Sequence, residues 1–422
     1  MIALPFIYFT LLSLFLYKKK KRQIDLSVVI SSMFAVSGLF SILIDFFDLR
    51  YPDAVGYVIS PTAGIAYCAL ITMCLLPIAF NSNLKIQSVR LIRGKSILMI
   101  LAWVSLFWFF VFVVFSLSTF IGTLGSDLAE ARADAYADET AEWMTRMPAV
   151  LRYLMLPFNM LFGCSWAFVF LAFYSRYVQK MPIIYFWIFL LVSLSGPYKG
   201  ILGADRSKAA YWIISLVGMY FLYAPLLVKA QKKQLIKIGI VVIGILAVYL
   251  GAMTIARFGE RNYSGDVSGT EGGLISYLGQ SYIHFCLYFD NYEPPFHHLG
   301  IIFPFISKYL FGIDSGGAII QEEMSLLTGY NCGVFYTFIG QIIMGAGKTV
   351  AVVFCFVYTF LSFLILPSVT KKTGARVSCL YLYFAISSVL LLGLFGHYYV
   401  SATLTFSLFA FYFVILLSEK SK

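Results

Sequence analysis

The stretch that decides the fold is SILMILAWVSLFWFFVFVVFSLSTFI, Ser96 to Ile121, which carries no charged residue along its whole length. A membrane-spanning helix needs about 20 predominantly apolar residues, because the hydrocarbon is roughly 30 Å thick and each residue rises about 1.5 Å. This run exceeds that length, so lipid is the solvent it is built for. The remainder of the chain agrees: 60% of the residues are apolar, only 12% are charged and the mean hydropathy is +0.85. An ordinary soluble domain is roughly a quarter charged.

Working outward from that run, ten further apolar segments can be marked: Ile2 to Tyr17, Leu26 to Ile44, Ala54 to Ala79, Leu151 to Phe173, Pro182 to Leu194, Ala209 to Val228, Leu235 to Thr254, Thr349 to Leu366, Val377 to Leu394 and Val400 to Leu417. The predicted fold class is an all-α polytopic integral membrane protein with about 11 transmembrane helices, forming a single transmembrane domain over 1–422. In the first segment charge follows the apolar run, so it reads as a start-transfer helix and not as a cleaved signal peptide.

The net charge of +11 is a matter of topology. The clusters Lys18 to Arg22, Lys85 to Lys95, Arg176 with Lys180, Lys229 to Lys237, Lys371 to Arg376 and Lys420 with Lys422 fall in alternate loops and hold 20 of the 31 Lys and Arg. Only Asp25 and Glu419 of the 20 acids share those loops. The positive-inside rule makes that side cytoplasmic, which puts the N-terminus outside and the C-terminus in the cytoplasm. Nucleic acid is not needed to explain the charge. The short loops on the basic side leave no room for a nucleotide-binding or kinase domain there, so the work belongs in the membrane or outside it.

Two outer segments are long. Residues 122–150 carry Ser126 as a helix cap, then an Ala-rich stretch with Asp127, Glu130, Asp134, Asp138, Glu139 and Glu142, and Tyr136, Trp143 and Met147 at helical spacing. This reads as a cap helix laid on the bundle. Residues 257–348 open with RFGERNYSGDVSGTEGG and continue with two semi-apolar stretches, Leu274 to Phe289 and Leu299 to Phe311, each interrupted by polar residues. Irregular or polar backbone at membrane depth needs protein or a wet cavity around it, so these are expected to be re-entrant or surface-lying helices, with a spanning hairpin as the alternative.

PYKGILGADRSK, residues 197–208, gathers Lys199, Arg206 and Lys208 among glycines on the side where positive charge is disfavoured. Such a cluster suits an anion, and Arg offers the fork that phosphate oxygens accept two at a time. Snorkelling or a salt bridge to Asp205 is the plainer alternative. Arg257 and Arg261, four residues apart, share a helix face and form a second cationic prong.

His284, His297, His298 and His397 all fall on or near the outer side, and no HxxxH or HExxH spacing occurs, so no metal site and no cofactor is expected. Any one of the four is a candidate base. Asp290, Glu293, Asp314, Glu322 and Glu323 supply carboxylates in the same region. The seven cysteines make no CxxC pair, so neither a disulfide framework nor a zinc site is indicated, although Cys286 and Cys332 both lie outside. MGAGKT around Lys348 lacks the first glycine of a phosphate loop and the strand that would precede it. Asn262, Tyr263 and Ser264 form a sequon of a kind that arises by chance. Tyr277, Tyr282, Tyr288, Tyr292 and Tyr330 are dense enough to offer sugar-stacking faces.

Three patches, LGADRSKAAYWIISLVGMYFLY at 202–223, ARFGER at 256–261 and GYNCGVFYTFIGQIIMGAGK at 329–348, together with the helix count and the long late outer segment, resemble the O-antigen polymerase (Wzy-type) family. The first is similar to that family's Gly-x-Arg stretch leading into an apolar helix, with Asp205 standing where the commoner pattern has a small residue. The last is similar to its Asn-containing, Gly-rich lead-in to a late helix.

The resemblance implies a glycosyltransferase of surface-polysaccharide biosynthesis that joins polyprenyl-diphosphate-linked oligosaccharides outside the membrane. It also implies flippase and chain-length-regulator proteins as partners, besides membrane lipid. Arg206, Arg257 and Arg261 are then the groups that meet the diphosphate, with Lys199 and Lys208 in support. His298 or Glu323 is the base, and Asn331 and Tyr282 belong to the substrate site. A ligase with the same donor is the nearest alternative. A flippase for the lipid-linked glycan is the alternative from another class, but this sequence shows neither the internal repeats nor the midplane ionisable groups common in transporters.

Overall fold

The computed structural model describes residues 1–125, 146–203, 205, 207–258, 269–294, 300, 307–308, 310, 312, 317–333, 335–370 and 374–420. Among these, the regular structure is helical, apart from one isolated parallel bridge between Val89 and Ala375. The chain divides into two compact units: residues 1–86, 258–372 and 383–405 form the first, and residues 87–257, 373–382 and 406–422 the second.

The first unit contains α1 (Leu4–Lys19), α2 (Leu26–Phe46) and α3 (Pro61–Phe80), and then α11 (Gly269–Asn291), α12 (Gly317–Thr328), α13 (Thr337–Ala346) and α14 (Lys348–Val369). The starts of α2 and α3 are written in the sequence. Asp25 accepts the amide of Val28 at 3.1 Å and Ser60 that of Ala63 at 3.0 Å, and Pro61 occupies the first turn of α3, where no amide is needed. Asp25 is fully buried and also takes hydrogen bonds from Ser27, Ser82 and Lys20, an ion pair that fastens the loop between α1 and α2.

The centre of this unit is α11, which packs on α2, α3 and α13. Small residues allow the approach. Ser37 and Ser41 of α2 donate to the carbonyls of Leu278 and Gly279 at 2.9 and 2.6 Å, and a Cβ on Gly279 would run into the backbone of Phe40. Hydroxyl-to-carbonyl bonds and side-chain-free crossings are the usual means of joining helices where lipid supplies no hydrophobic drive. The apolar side of the joint is aromatic: the rings of Phe9, Phe34, Tyr67, Tyr282 and Phe285 meet edge-on or tilted, with centroids 4.9 to 6.4 Å apart.

The second unit contains α4 (Lys95–Gly125), α5 (Ala149–Leu161), α6 (Ser165–Phe173), α7 (Ile183–Ser193), α8 (Ser195–Leu202), α9 (Ser207–Tyr223) and nearly all of α10 (Lys229–Phe258). α15 (Val377–Leu391) and α16 (Ala402–Lys420) each run from one unit into the other. α6 is almost wholly buried and packs on α7 and α9, while α4 packs on α7 and α8.

An integral membrane protein is the architecture these helices support, but the expected count of about 11 spans is not reached. Seven helices among the described residues are long and apolar enough to cross a membrane, and an eighth span arises if α5 and the stretch Ser165–Val178, bent by 68° at Leu161 to Ser165, count as one. The physical reasons are local. α1 has 16 residues and rises about 24 Å, short of the hydrocarbon thickness. α15, over the expected segment Val377 to Leu394, is shorter still at 15 residues, and α10, over Leu235 to Thr254, is not among the seven.

Leu274 to Phe289 belongs to a 23-residue helix whose residues from Gly279 to Tyr288 are buried. The polar residues that break its apolar pattern face other helices, so the pattern does not report depth in the membrane. The expected cap helix in 122–150 and the stretch Leu299 to Phe311 lie largely outside the described residues.

MGAGKT forms a corner between two helices. α13 ends at Ala346, Gly347 turns the chain with φ of +87°, and α14 begins at Lys348. A positive φ costs glycine little, which explains the glycine there without any phosphate.

Candidate functional site

In the first unit the loop between α2 and α3 folds against α11 and the start of the GYNCG patch. Tyr57 and Ser60 donate to the two oxygens of Asp290 at 2.6 and 2.8 Å, so the C-terminal end of α11 is tied to the lead-in of α3. Burial and the neighbouring Asp290 carboxylate push the Tyr57 hydroxyl well above its ordinary ionisation range. Tyr57 is therefore a fixed donor.

Six residues before Asp290 on α11 and four before Tyr57, His284 and Asp53 face one another. His284 is 1% exposed; its Nδ1 lies 3.1 Å from the carbonyl oxygen of Gln280, which can only accept, so Nδ1 carries the hydrogen. Its Nε2 points at Asp53 Oδ1 across 3.6 Å, and neither atom has a hydrogen-bond partner among the described residues. That separation is ion-pair reach but too long for a hydrogen bond. Asp53 Oδ2 takes the backbone amide of Asn331 at 3.0 Å. Burial works to raise the Asp53 carboxyl, but the adjacent His284 and the Asn331 amide outweigh it, and the group sits below its ordinary value of 3.8.

The walls are aromatic. Tyr51 meets the His284 ring edge-on at 5.5 Å, and Tyr288, Tyr292, Tyr330 and Tyr336 form a cluster with centroids 5.0 to 6.3 Å apart. Their hydroxyls point at backbone: Tyr288 at the Asn331 carbonyl (2.8 Å), Tyr336 at the Cys332 carbonyl (2.9 Å), Tyr292 at the Met344 carbonyl (2.9 Å). The rings hold the GYNCG turn in place, and the turn in turn fixes Asp53. Leaving a buried donor or acceptor unpaired costs about 1–3 kcal/mol. Two such atoms kept face to face, with Gln280 Oε1 and Ser281 Oγ of the same helix also buried and without a hydrogen-bond partner among the described residues, are what a site awaiting a polar ligand looks like.

The sequence-predicted residues are distributed unevenly around this pair. Asn331 is part of the site through its backbone amide, while its side chain closes a local turn by accepting the Gly333 amide at 3.1 Å. Tyr282 belongs to the core: it is fully buried, its hydroxyl donates to the Met1 carbonyl at 3.1 Å and its ring packs on Tyr67 at 4.9 Å, so it presents no face to a sugar. Glu323 is exposed on α12. Arg206, Arg261 and His298, with the side chains of Arg257 and Glu322, lie outside the described residues. Cys286 and Cys332 are free thiols, as are the other five cysteines.

Lys199 and Lys208 belong to the second unit. Residues 195–202 continue α7 as the short helix α8, and the chain then turns into α9 through Asp205, whose Oδ1 accepts the amide and hydroxyl of Ser207 at 2.8 and 2.6 Å. Asp205 thus serves as a helix cap, and the ammonium of Lys208 stands 4.0 Å from its other oxygen. Gly200 is required here, because a Cβ would lie 2.6 Å from the Asp205 carbonyl oxygen. The Lys199 ammonium donates to the Asn159 carbonyl at 2.8 Å and lies 5.8 Å from the ring centroids of both Phe112 and Phe162. It is anchored in an apolar setting by two aromatic faces and a backbone oxygen.

No protein-family model, curated protein or solved structure matches the chain. The residue that the sequence reading did not weigh is Asp53, in a short loop between two apolar runs. Its one signal is a carboxylate beside Pro52 and Tyr51 at the predicted outer boundary, which by itself marks nothing more than a turn.

Proposed function

We propose that this chain is a membrane glycosyltransferase that joins polyprenyl-diphosphate-linked oligosaccharide repeat units into a surface polysaccharide on the outer side of the bacterial inner membrane. The observation that carries the reading is the buried pair of Asp53 Oδ1 and His284 Nε2, unpartnered at 3.6 Å and walled by tyrosines. Glycosyl transfer to a sugar hydroxyl needs a base at that hydroxyl, and a histidine beside a carboxylate can supply one.

In the proposed reaction a hydroxyl of the acceptor repeat unit reaches the pair and gives its proton to His284 Nε2. The freed oxygen attacks C1 of the donor's reducing-end sugar, the bond from C1 to the diphosphate oxygen breaks, and the polyprenyl diphosphate departs with the electron pair. A single displacement of this kind inverts C1. Asp53 holds the imidazolium that forms, while Gln280 keeps Nδ1 protonated and so keeps Nε2 free as the basic nitrogen. Negative charge grows on the leaving diphosphate and calls for cations; Arg206, Arg257 and Arg261 are the candidates that the sequence offers, and removal of one preorganised group of this kind typically costs on the order of 10²-fold in rate.

The test is purified protein in liposomes given a synthetic polyprenyl-diphosphate repeat unit. A ladder of lengthened glycans that collapses in Arg206→Ala and Arg257→Ala supports the reading. A substrate that changes leaflet without lengthening establishes a flippase, and transfer of one unit only, onto a lipid or protein acceptor, establishes a ligase; either overturns it.

A further inference from the structure

An apolar crevice of about 190 Å³ opens in the second unit between α6, α7, α9 and α10. Phe173, Phe186, Leu190, Trp212 and Tyr220 form its walls, and Gly239 of α10 lies along it. Trp212 is 1% exposed and its ring nitrogen is satisfied by Ser193 at 2.9 Å, so the inner wall is fixed and asks nothing polar of an occupant. A Cβ added at Gly239 would meet no atom within 4 Å. The hollow is therefore kept open by the absence of a side chain on α10, and a hollow of this kind inside a bilayer forfeits contact unless a hydrocarbon chain fills it.

The charge at one end says which lipid. On α10 the lining positions Leu235, Ile236, Gly239, Val242 and Ile243 make one stripe, and Lys232, half-buried, continues it one turn back, three residues before Leu235 and four before Ile236. Lys229, Lys233 and Lys237 flank it. From α6, Phe173 lines the hollow and exposed Arg176 follows one turn later, while the ring of Tyr177 packs on Phe173 and Phe186 at 5.9 and 6.1 Å. From residue 146 to 257 the single acid is Asp205, at the start of α9, whereas the crevice runs along α9 to Tyr220. Glu419 of the same unit is already held by the amide and hydroxyl of Ser378 at 3.0 and 2.8 Å.

We propose that this crevice is a binding site for one anionic glycerophospholipid, an acyl chain lying between Gly239 and the aromatic walls and the phosphate meeting Lys232 at the mouth, with Arg176 and Lys233 beside it. The site is separate from the Asp53–His284 pair and stands whether or not the proposed transfer reaction does.

Native mass spectrometry of the full-length protein in neutral detergent tests it, with phosphatidylglycerol and phosphatidylcholine added in equal amounts. One phosphatidylglycerol is expected to stay bound to the wild type in preference to phosphatidylcholine. Gly239→Phe, which fills the hollow, removes that adduct. Lys232→Gln weakens it roughly fivefold, the worth of one lysine at an anionic headgroup. Gly244→Phe, where a Cβ is equally unobstructed but the position does not line the crevice, leaves it intact. Equal retention of phosphatidylcholine, preferential retention of a polyprenyl phosphate, or an undiminished adduct in both Gly239→Phe and Lys232→Gln would overturn the proposal.

Discussion

Helices α4 and α11 are both long enough to cross a bilayer, and they solve opposite problems. α4 has 31 residues and no charge between Ser96 and Ile121, and its exposed positions Ile100, Trp103, Phe107, Phe110, Val114, Leu117 and Ile121 fall at alternating steps of three and four, one continuous stripe. Its buried positions Leu98, Ala102, Ser105, Phe109, Phe112 and Ser116 follow the same rhythm on the other side. α11 has 23 residues, among them Gln280, Ser281 and His284, and all three are buried against α2, α3 and α13. The difference teaches that lipid exposure demands apolar side chains whereas helix–helix burial tolerates polar ones, even where Gln280 Oε1, Ser281 Oγ and His284 Nε2 have no hydrogen-bond partner among the described residues. Polarity inside a membrane protein therefore marks interior rather than surface, and the interior is where a site can be kept dry and ordered.

Changes that break the comparison should differ in size accordingly. The largest effect is expected at the pair itself: His284→Ala removes the basic nitrogen and should lower the transfer rate by about 10²- to 10⁴-fold, with the purified protein still folded by circular dichroism. Next comes a charge placed on the wrong helix. Val114→Lys puts an ammonium on the lipid stripe of α4, and should cost about 2.5–3.5 kcal/mol in an insertion assay.

Gly279→Leu attacks the crossing of α11 with α2, where even a Cβ meets the Phe40 backbone, and should lower stability by at least the roughly 1–3 kcal/mol typical of overpacking. Phe107→Leu, an equally apolar change on the exposed stripe of α4, should stay within about 0.5 kcal/mol in the same thermal-shift measurement. Parity between these two would mean that α11 is not the packing centre.

A smaller effect is expected with acid. Asp53 has a folded value below its ordinary 3.8, so its contribution is fully present above the ordinary value and is lost as pH falls through the lowered one. Exchange of the Asn331 amide, corrected for intrinsic rate, should stay slow at neutral pH and accelerate only below about pH 4. Release at pH 6 would show that Asp53 does not hold this turn.

These two helices also show what could be read from the sequence. The α4 stripe is legible because exposure and apolarity coincide there, and the same holds for α2, α3, α14 and α16, whose bounds lie close to the apolar runs. α11 is harder to read because its polar residues resemble those of a surface segment; only Ser37 and Ser41 on α2 hint at a helix pressed against them, and one sequence does not say which helix that is. At the site, His284 was one histidine among four and Tyr282 one tyrosine among several. Burial by Tyr67 separates Tyr282 from the site, and a loop more than two hundred residues upstream brings Asp53 to His284. Contacts at that sequence distance follow from the fold and from no local pattern.

The most direct measurement on the account's central claim is the rate of transfer in liposomes for the wild type, His284→Ala and Asp53→Asn, each checked for folding by circular dichroism. If the pair is the base, His284→Ala should lower the maximal rate by about 10²- to 10⁴-fold and Asp53→Asn by a smaller factor. Full activity in His284→Ala, or a rate in Asp53→Asn equal to that of the wild type, would contradict the assignment of this pair as the base.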